Sequence, residues 1–180
     1  MLLVVQSNMN RGQKDLRLFE VGKRYLPGGE RWTLGVIMTG RREGDWRKGR
    51  REALDLYDLK GAIETVLMRQ RVTGLGFAAG EGAAFEPGQT AAVSLNGVAI
   101  GMMGRLADGV LANFDIKKAQ ICFAEIDLEA VAGAVAPRAK FEALDEYPSV
   151  VRDVSLAVKD VAFEDLRAVC VAGGQGLLRK

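Results

Sequence analysis

The 180-residue sequence contains no histidine. That absence removes Ser-His-Asp triads, Cys-His dyads, His-ligated zinc and the usual general base near neutral pH. Cysteine is nearly absent too. Cys122 and Cys170 are far apart in apolar runs and no C-x-x-C pair exists, so zinc ribbons and thioredoxin-like sites are excluded. Both cysteines read as buried free thiols of a reducing cytosol. No run approaches the roughly 18 apolar residues of a membrane-spanning helix. Net charge is only +2, from 25 basic and 23 acidic residues. Bulk attraction to nucleic acid is therefore not the main expectation, although local clusters can still act. The opening Met1-Leu2-Leu3-Val4-Val5-Gln6 has no basic leader and is shorter than a signal-peptide core of roughly 7 apolar residues, so secretion is not expected. It starts in mid-pattern, as if an upstream helix had been cut.

What is present is a globular composition, 48% hydrophobic and 27% charged, enough for one soluble domain or for one domain and part of another. Leu16 to Leu26 reads as a strand apolar on both faces, with Leu16 and Leu18 on one and Phe19, Val21 and Tyr25 on the other, hence covered on both. Pro27-Gly28 suits the centre of a type II turn into a second strand, where Trp32, Leu34, Val36 and Met38 alternate. Asp55 opens a helix to about Arg71, with Leu56, Leu59, Ile63, Val66 and Leu67 at helical spacing, and Gly74 stops it. Leu75 to Ala79 is a short strand, followed by a glycine-rich loop to Gly88. Asn96-Gly97 marks a type I′ hairpin that places Ala91, Val93, Leu95, Val98, Ile100 and Met102 on one face. Gly101 and Gly104 are read as points of close backbone approach. Ile121 to Leu128 is another strand. Val150 to Val158 alternates like a strand, and Phe163, Leu166, Val169 and Cys170 recur at helical spacing before Gly173-Gly174.

Candidate sites are few. Gly74-Leu75-Gly76-Phe77-Ala78-Ala79-Gly80 has the wrong last spacing and no βαβ context, so it reads as a turn-rich segment and not as a nucleotide loop. Asp55 and Asp58 read as first-turn acids, a structural role. Glu20, inside an apolar strand, is either a substrate residue or a partner of Arg24 or Arg17. Arg41, Arg42, Arg47, Lys48, Arg50 and Arg51 surround Trp46, which is either a single-stranded RNA contact or a solvated charged loop. Gly61 inside the helix costs roughly 1 kcal/mol relative to alanine, which points to another element packed tightly there. No metal ligand set and no catalytic set is read from the sequence.

In order along the chain, five segments resemble the C-terminal part of the beta subunit family of bacterial phenylalanine–tRNA ligases. They are Asn10 to Gly22, Asp55 to Gly61, Ile100 to Leu106, Phe123 to Leu128 and Tyr147 to Leu156. The resemblance implies an α+β fold. Residues 1–132 would form a class II synthetase-like antiparallel sheet with flanking helices, 133–146 a linker, and 147–180 the first strand and helix of an incomplete ferredoxin-like anticodon-binding domain. It also implies a silent copy of a catalytic module. Arg17 and Glu20 echo an Arg-x-x-Glu motif. No arginine follows Phe123 to Leu128 in place to clamp ATP phosphates, so this chain by itself is expected to be inactive. Ala107-Asp108 stands where the family often shows histidine-proline. ATP and Mg²⁺ would serve the parent enzyme and not this stretch. The implied partners are the alpha subunit and tRNA(Phe), in the cytoplasm and without membrane contact, with self-association of the isolated chain. The rival reading is a stand-alone RNA-binding module built on the Arg41–Arg51 loop.

Overall fold

A computed structural model describes residues 1–42, 52–136, 148–174 and 177–178. Two compact units divide the chain, Met1–Ala139 and Lys140–Lys180.

The first unit is a six-stranded antiparallel sheet. Its strands are β1 (Leu16–Leu26), β2 (Gly29–Thr39), β3 (Leu75–Ala79), β4 (Phe85–Leu95), β5 (Val98–Leu106) and β6 (Ile121–Asp127), in the spatial order β1-β2-β6-β5-β4-β3. The helices are α1 (Leu2–Asn10), α2 (Leu56–Arg69), α3 (Asp108–Ala112) and α4 (Leu128–Ala132). Sequence periodicity had not resolved α1, α3 or α4; the last two are only five residues long, too short to display a helical period.

One sheet face packs on α2. Leu59, Ile63 and Leu67 meet Leu34 and Met38 of β2, Val93 of β4, Met103 of β5 and Cys122, Ala124 and Ile126 of β6. The other face carries a second core, in which Val5 of α1 and Leu111 of α3 join Leu16, Ile37, Leu106, Ile116 and Ile121. Strand parity makes the division. Leu34 and Met38 lie on one face of β2 and Ile37 on the other.

The Asn96-Gly97 hairpin forms as expected. Both residues have positive φ, 50° and 82°, as a type I′ turn demands. The facing pattern changes beyond it. A register shift between Val93 and Ser94 leaves Ile100 as an extra residue, so Val93 opposes Gly101 and Ala91 opposes Met103. Met103 therefore enters the core and Met102 turns to the opposite face, contrary to the simple alternation. Gly101 is a point of close approach, since a Cβ there would strike the Glu125 carbonyl of β6. In the β1–β2 hairpin the positive φ falls on Gly29 and not on Gly28, so the expected type II turn is not formed.

Helix α2 starts at a capping box. Asp55 Oδ1 accepts the Tyr57 and Asp58 amides, and Asp58 Oδ2 accepts the Asp55 amide at 2.8 Å. It ends before Gly74. Arg71 takes the left-handed conformation, with Arg71 N–H on Met68 O and Val72 N–H on Leu67 O, a Schellman closure sealed by buried Val72. Gly61 is not tightly packed, because a Cβ at that position meets nothing within 4 Å.

Two expectations about burial need correction. β1 is an edge strand whose α2-side residues are open, with Phe19 75% and Tyr25 76% exposed. The single long helix on that face rests over β2, β6 and β5 and does not extend over β1. Cys122 is buried but Cys170 is exposed.

In the second unit, α5 (Phe163–Gly173) forms where helical spacing placed it, with no buried residue. Residues 148–158 join no sheet. Their alternation describes a strand, yet among the described residues of this unit no neighbouring strand is present to hydrogen-bond with it, and an isolated strand is not stable.

Because the α2 surface at Gly61 is open, Gly61→Ala should stabilise the chain by roughly 0.5–1 kcal/mol. Ile63→Ala, which opens a cavity between α2 and the sheet, should cost about 2–5 kcal/mol. Urea midpoints of the two variants check both signs.

Candidate functional site

Three surfaces of the first unit concentrate chemistry. The first is a charged knot at the N-terminus of α2. Arg42 leaves β2 and reaches three carboxylates: Nε donates to Asp58 Oδ1 at 2.8 Å, Nη2 to Asp55 Oδ2 at 2.9 Å and Nη1 to Glu52 Oε2 at 2.6 Å. The helix N-terminus and the guanidinium favour the same ionised carboxylates. The Arg42 hydrogen bond, the first cause, holds the Asp58 carboxyl below the ordinary carboxylate range, and the same partners push the Arg42 guanidinium further up. This arrangement is structural: it ties the end of β2 to the start of α2.

The second surface is an apolar groove of about 500 Å³ beside α2. Phe19 and Val21 of β1, Leu34 and Val36 of β2, and Ala62 and Val66 of α2 form much of its wall. Trp32, Tyr25 and Met68 extend the exposed apolar area of the same unit. A contiguous apolar surface of this kind on a folded domain marks a contact site.

The third surface lies on the opposite sheet face, where α1 closes in. Met1 and Leu2 join the second core beside Phe123. A cavity of about 770 Å³ remains there, with a mostly apolar wall that includes Leu3, Phe85, Met102 and Phe114. Its charged residues, Arg24 and Glu125, form an ion pair with each other. A Cβ at Gly35 would approach Met1 Sδ to 2.8 Å, so the residue that precedes α1 lies directly against β2.

The residues singled out from sequence are not gathered in one place. Arg17 pairs in register with Met38 and Glu20 with Gly35, which puts Arg17 on the α2 face and Glu20 on the α1 face. A separation of three in a strand always gives opposite faces. Arg17 Nη2 donates to Arg41 O at 3.4 Å, while Glu20 lies 4.0 Å from the Met1 nitrogen and pairs with neither Arg17 nor Arg24. Arg42 is engaged by its carboxylates. Arg41 borders a separate cleft with Lys14 and Lys118, which carried no distinguishing sequence signal. Trp46, Arg47, Lys48, Arg50 and Arg51 lie outside the described residues. In the second unit, Arg152 donates to the Val151 carbonyl at 3.2 Å. Among the described residues no cysteine and carboxylate side chains are grouped to hold a metal ion. No helix of the described residues is long and apolar enough to cross a membrane.

Comparison with known proteins places these features. Residues 1–128 match the family described as the phenylalanyl tRNA synthetase beta chain CLM domain. The phenylalanine–tRNA ligase beta subunit of Fusobacterium nucleatum is 30% identical over 172 residues, covering 90% of this chain and 21% of that protein. The beta subunit of Syntrophus aciditrophicus is 30% identical across 99% of this chain and 23% of its own length. That of Pasteurella multocida is 33% identical across 96% and 23%. The chain thus spans between a fifth and a quarter of these relatives. Pyrrolysyl-tRNA synthetase from Desulfitobacterium hafniense shares the fold, with a TM-score of 0.55 at 14% identity over 73% of this chain and 45% of that one.

The knot predicts a pH dependence. The folded Asp58 value lies below the unfolded one, so its contribution is fully present above the unfolded pKa of about 4 and is lost as pH falls through the folded value. Chemical denaturation between pH 6 and pH 2 should show a shallower acid decline for Asp58→Asn than for the native sequence. Asp55→Ala should cost about 1 kcal/mol through loss of the cap.

Proposed function

Since this chain belongs to the phenylalanyl-tRNA synthetase beta chain CLM domain family, we propose that it is a catalytically silent, interface-forming module, supporting an alpha subunit that attaches phenylalanine to tRNA(Phe). The chain is part of a phenylalanine–tRNA ligase beta subunit. The open groove between α2 and β1 carries the interface reading. Phe19 and Val21 are apolar and exposed on its wall, and burying each against a partner would contribute on the order of 1.5–3 kcal/mol.

Silence is supported by the opposite face. A phosphate clamp needs cations free to meet developing charge. Arg24 is neutralised by Glu125, Met1 rests over Gly35, and Arg17 lies across the sheet from Glu20. These residues do not fit ATP, so ATP and Mg²⁺ are assigned to the alpha subunit of the whole enzyme, and no step is routed through this chain.

In this reading residues 1–132 are a class II-like module, 133–146 a linker and 147–180 the opening strand and helix of a ferredoxin-like anticodon-binding domain. The alternation over Val150–Val158 and helix α5 support the last assignment. The complete enzyme works in the cytoplasm, and the isolated chain self-associates through the uncovered groove. The stand-alone RNA reading of the 41–51 loop is weakened at Arg42, which three carboxylates already occupy.

Two measurements test the proposal. Co-purification with a phenylalanine–tRNA ligase alpha subunit should succeed for the native chain and fall at least tenfold for Phe19→Asp with Val21→Asp. Equal recovery of the double variant would remove the groove from the interface. Calorimetry with ATP and with phenylalanine should give flat traces; a micromolar heat for either would end the silent reading.

A further inference from the structure

The sheet of the first unit ends in two unequal edges. β3 is five residues long, the short form in which edge strands are normally kept. β1 is eleven residues long and holds no proline, and its register with β2 runs unbroken from Leu16↔Thr39 to Leu26↔Gly29. Among the described residues no strand pairs with its outer side. The ladder fixes which backbone groups that side presents. Leu26 and Gly29 flank a two-residue loop, so they exchange hydrogen bonds, and every second residue back from Leu26 also turns its backbone to β2. The Trp32 N–H agrees. It donates to Glu129 Oε1, away from β1, so the Lys23↔Trp32 pair is one that exchanges no hydrogen bonds. Phe19, Val21, Lys23 and Tyr25 therefore aim their N–H and C=O groups at the open edge.

Such an edge is a template for a further antiparallel strand. A second copy of β1 can supply it about a two-fold axis normal to the sheet, and the side chains select the register. An axis at Glu20 sets Glu20 against Glu20, and an axis at Lys23 sets Lys23 against Lys23; like charges directly opposite are unfavourable. An axis at Val21 sets Glu20 against Gly22 and Arg24 against Leu18, with no charge matched. An axis at Gly22 sets Glu20 against Arg24, Phe19 against Tyr25 and Leu18 against Leu26, each pair occurring twice. Aromatic pairs and opposite charges are the cross-strand pairs that stabilise a ladder. The sites are open to receive them. Phe19 and Tyr25 are exposed, the Glu20 side chain is 66% exposed with the Met1 nitrogen 4.0 Å away, and a Cβ at Gly22 would meet nothing within 4 Å. The remaining charge, Lys23, is already neutralised by Glu30 at 2.6 Å.

We propose that the 180-residue chain forms a two-fold dimer by antiparallel pairing of β1 with β1 of a second copy, centred on Gly22, which joins the two sheets into one. Phe19, Val21, Lys23 and Tyr25 of each copy then spend their outward backbone groups on the other. Because both sheets present the same face, the two α2–β1 grooves meet as one apolar trough between the two α2 helices. The inference rests on the self-association read above and gives it an edge, a symmetry and a register; it does not depend on the alpha-subunit contact.

Two measurements test it on the 180-residue chain. The first reads the register by disulfide trapping in a Cys170→Ser background, where the remaining thiol, Cys122, is buried. Opposed residues that exchange no hydrogen bonds have Cα atoms about 4.5 Å apart, within disulfide reach. With oxidised glutathione, Gly22→Cys should give a crosslinked dimer, as should Glu20→Cys combined with Arg24→Cys, whereas Glu20→Cys, Val21→Cys and Lys23→Cys alone should crosslink at least tenfold less. The second is sedimentation velocity. Lys23→Pro removes an outward N–H without touching the β1–β2 ladder and should raise the dimer dissociation constant at least tenfold; Lys23→Ala, which loses the same charge but keeps the amide, should change it less than twofold. If Lys23→Pro does not fold, the trapping series decides. A chain that stays monomeric up to millimolar concentration overturns both this dimer and the self-association reading. A dimer that survives Lys23→Pro but is lost in Phe19→Asp with Val21→Asp keeps the groove contact and overturns the edge pairing. Crosslinks that favour position 20, 21 or 23 over 22, or that join Gly22→Cys to a segment other than β1, also overturn it.

Discussion

Insertion of β6 between β2 and β5 is the constraint on which the first unit rests. Two hairpins that are local in sequence, β1–β2 and β4–β5, become one sheet only because a later segment pairs with both. That segment must satisfy both faces at once. Cys122, Ala124 and Ile126 fill the core under α2, while Ile121 and Phe123 fill the core under α1. It must also tolerate a close neighbour, because the Glu125 carbonyl occupies the space a side chain at position 101 would need. The tandem of small Gly101 and large Met103 on β5 is thus a steric match to β6, and the bulge near Val93 brings Met103 to the inner face.

The two faces of that sheet are finished differently, and the difference underlies the functional reading. On one, α1 and α3 close over the centre, and Arg24 and Glu125 neutralise each other. On the other, α2 covers the middle strands and leaves the edge strand's apolar residues open. An apolar margin left open at an edge strand suits a domain that is held by a partner. Lys14, Arg41 and Lys118 line a third place, where the end of β2, the end of α1 and the loop before β6 meet.

Much of this was legible in the sequence because the informative signals were local. Asn96-Gly97 dictates its turn by backbone sterics, and Asp55 with Asp58 specifies the helix start through hydrogen bonds three residues apart. The stripe Leu59, Ile63 and Leu67 needs only helical period. The misreadings arose where the outcome depends on distant parts of the chain. An apolar strand such as β1 declares that something covers both its faces, but not whether this chain supplies it. A bulge reverses facing without changing composition, which moved Met102 out of the core. Gly61 inside a helix suggests close packing, yet a missing side chain looks the same in sequence whether a neighbour fills the space or solvent does. The cationic cleft was invisible because Lys14, Arg41 and Lys118 come from three separate segments. The spacing of Arg17 and Glu20, by contrast, already fixed their divergence, since strand parity separates positions an odd number apart.

The two thiols give the molecule an internal clock. Burial first and the Asp55 carboxylate second push the Cys122 thiol up to about 11, so it is both shielded and protonated at neutral pH. It lies on β6, and a reagent reaches it only when the strand that joins the two hairpins separates from its neighbours. Cys170 is already in contact with solvent. The ratio of slow to fast alkylation in a single sample therefore reports how often the sheet parts, with the exposed cysteine serving as the internal reference for reagent activity.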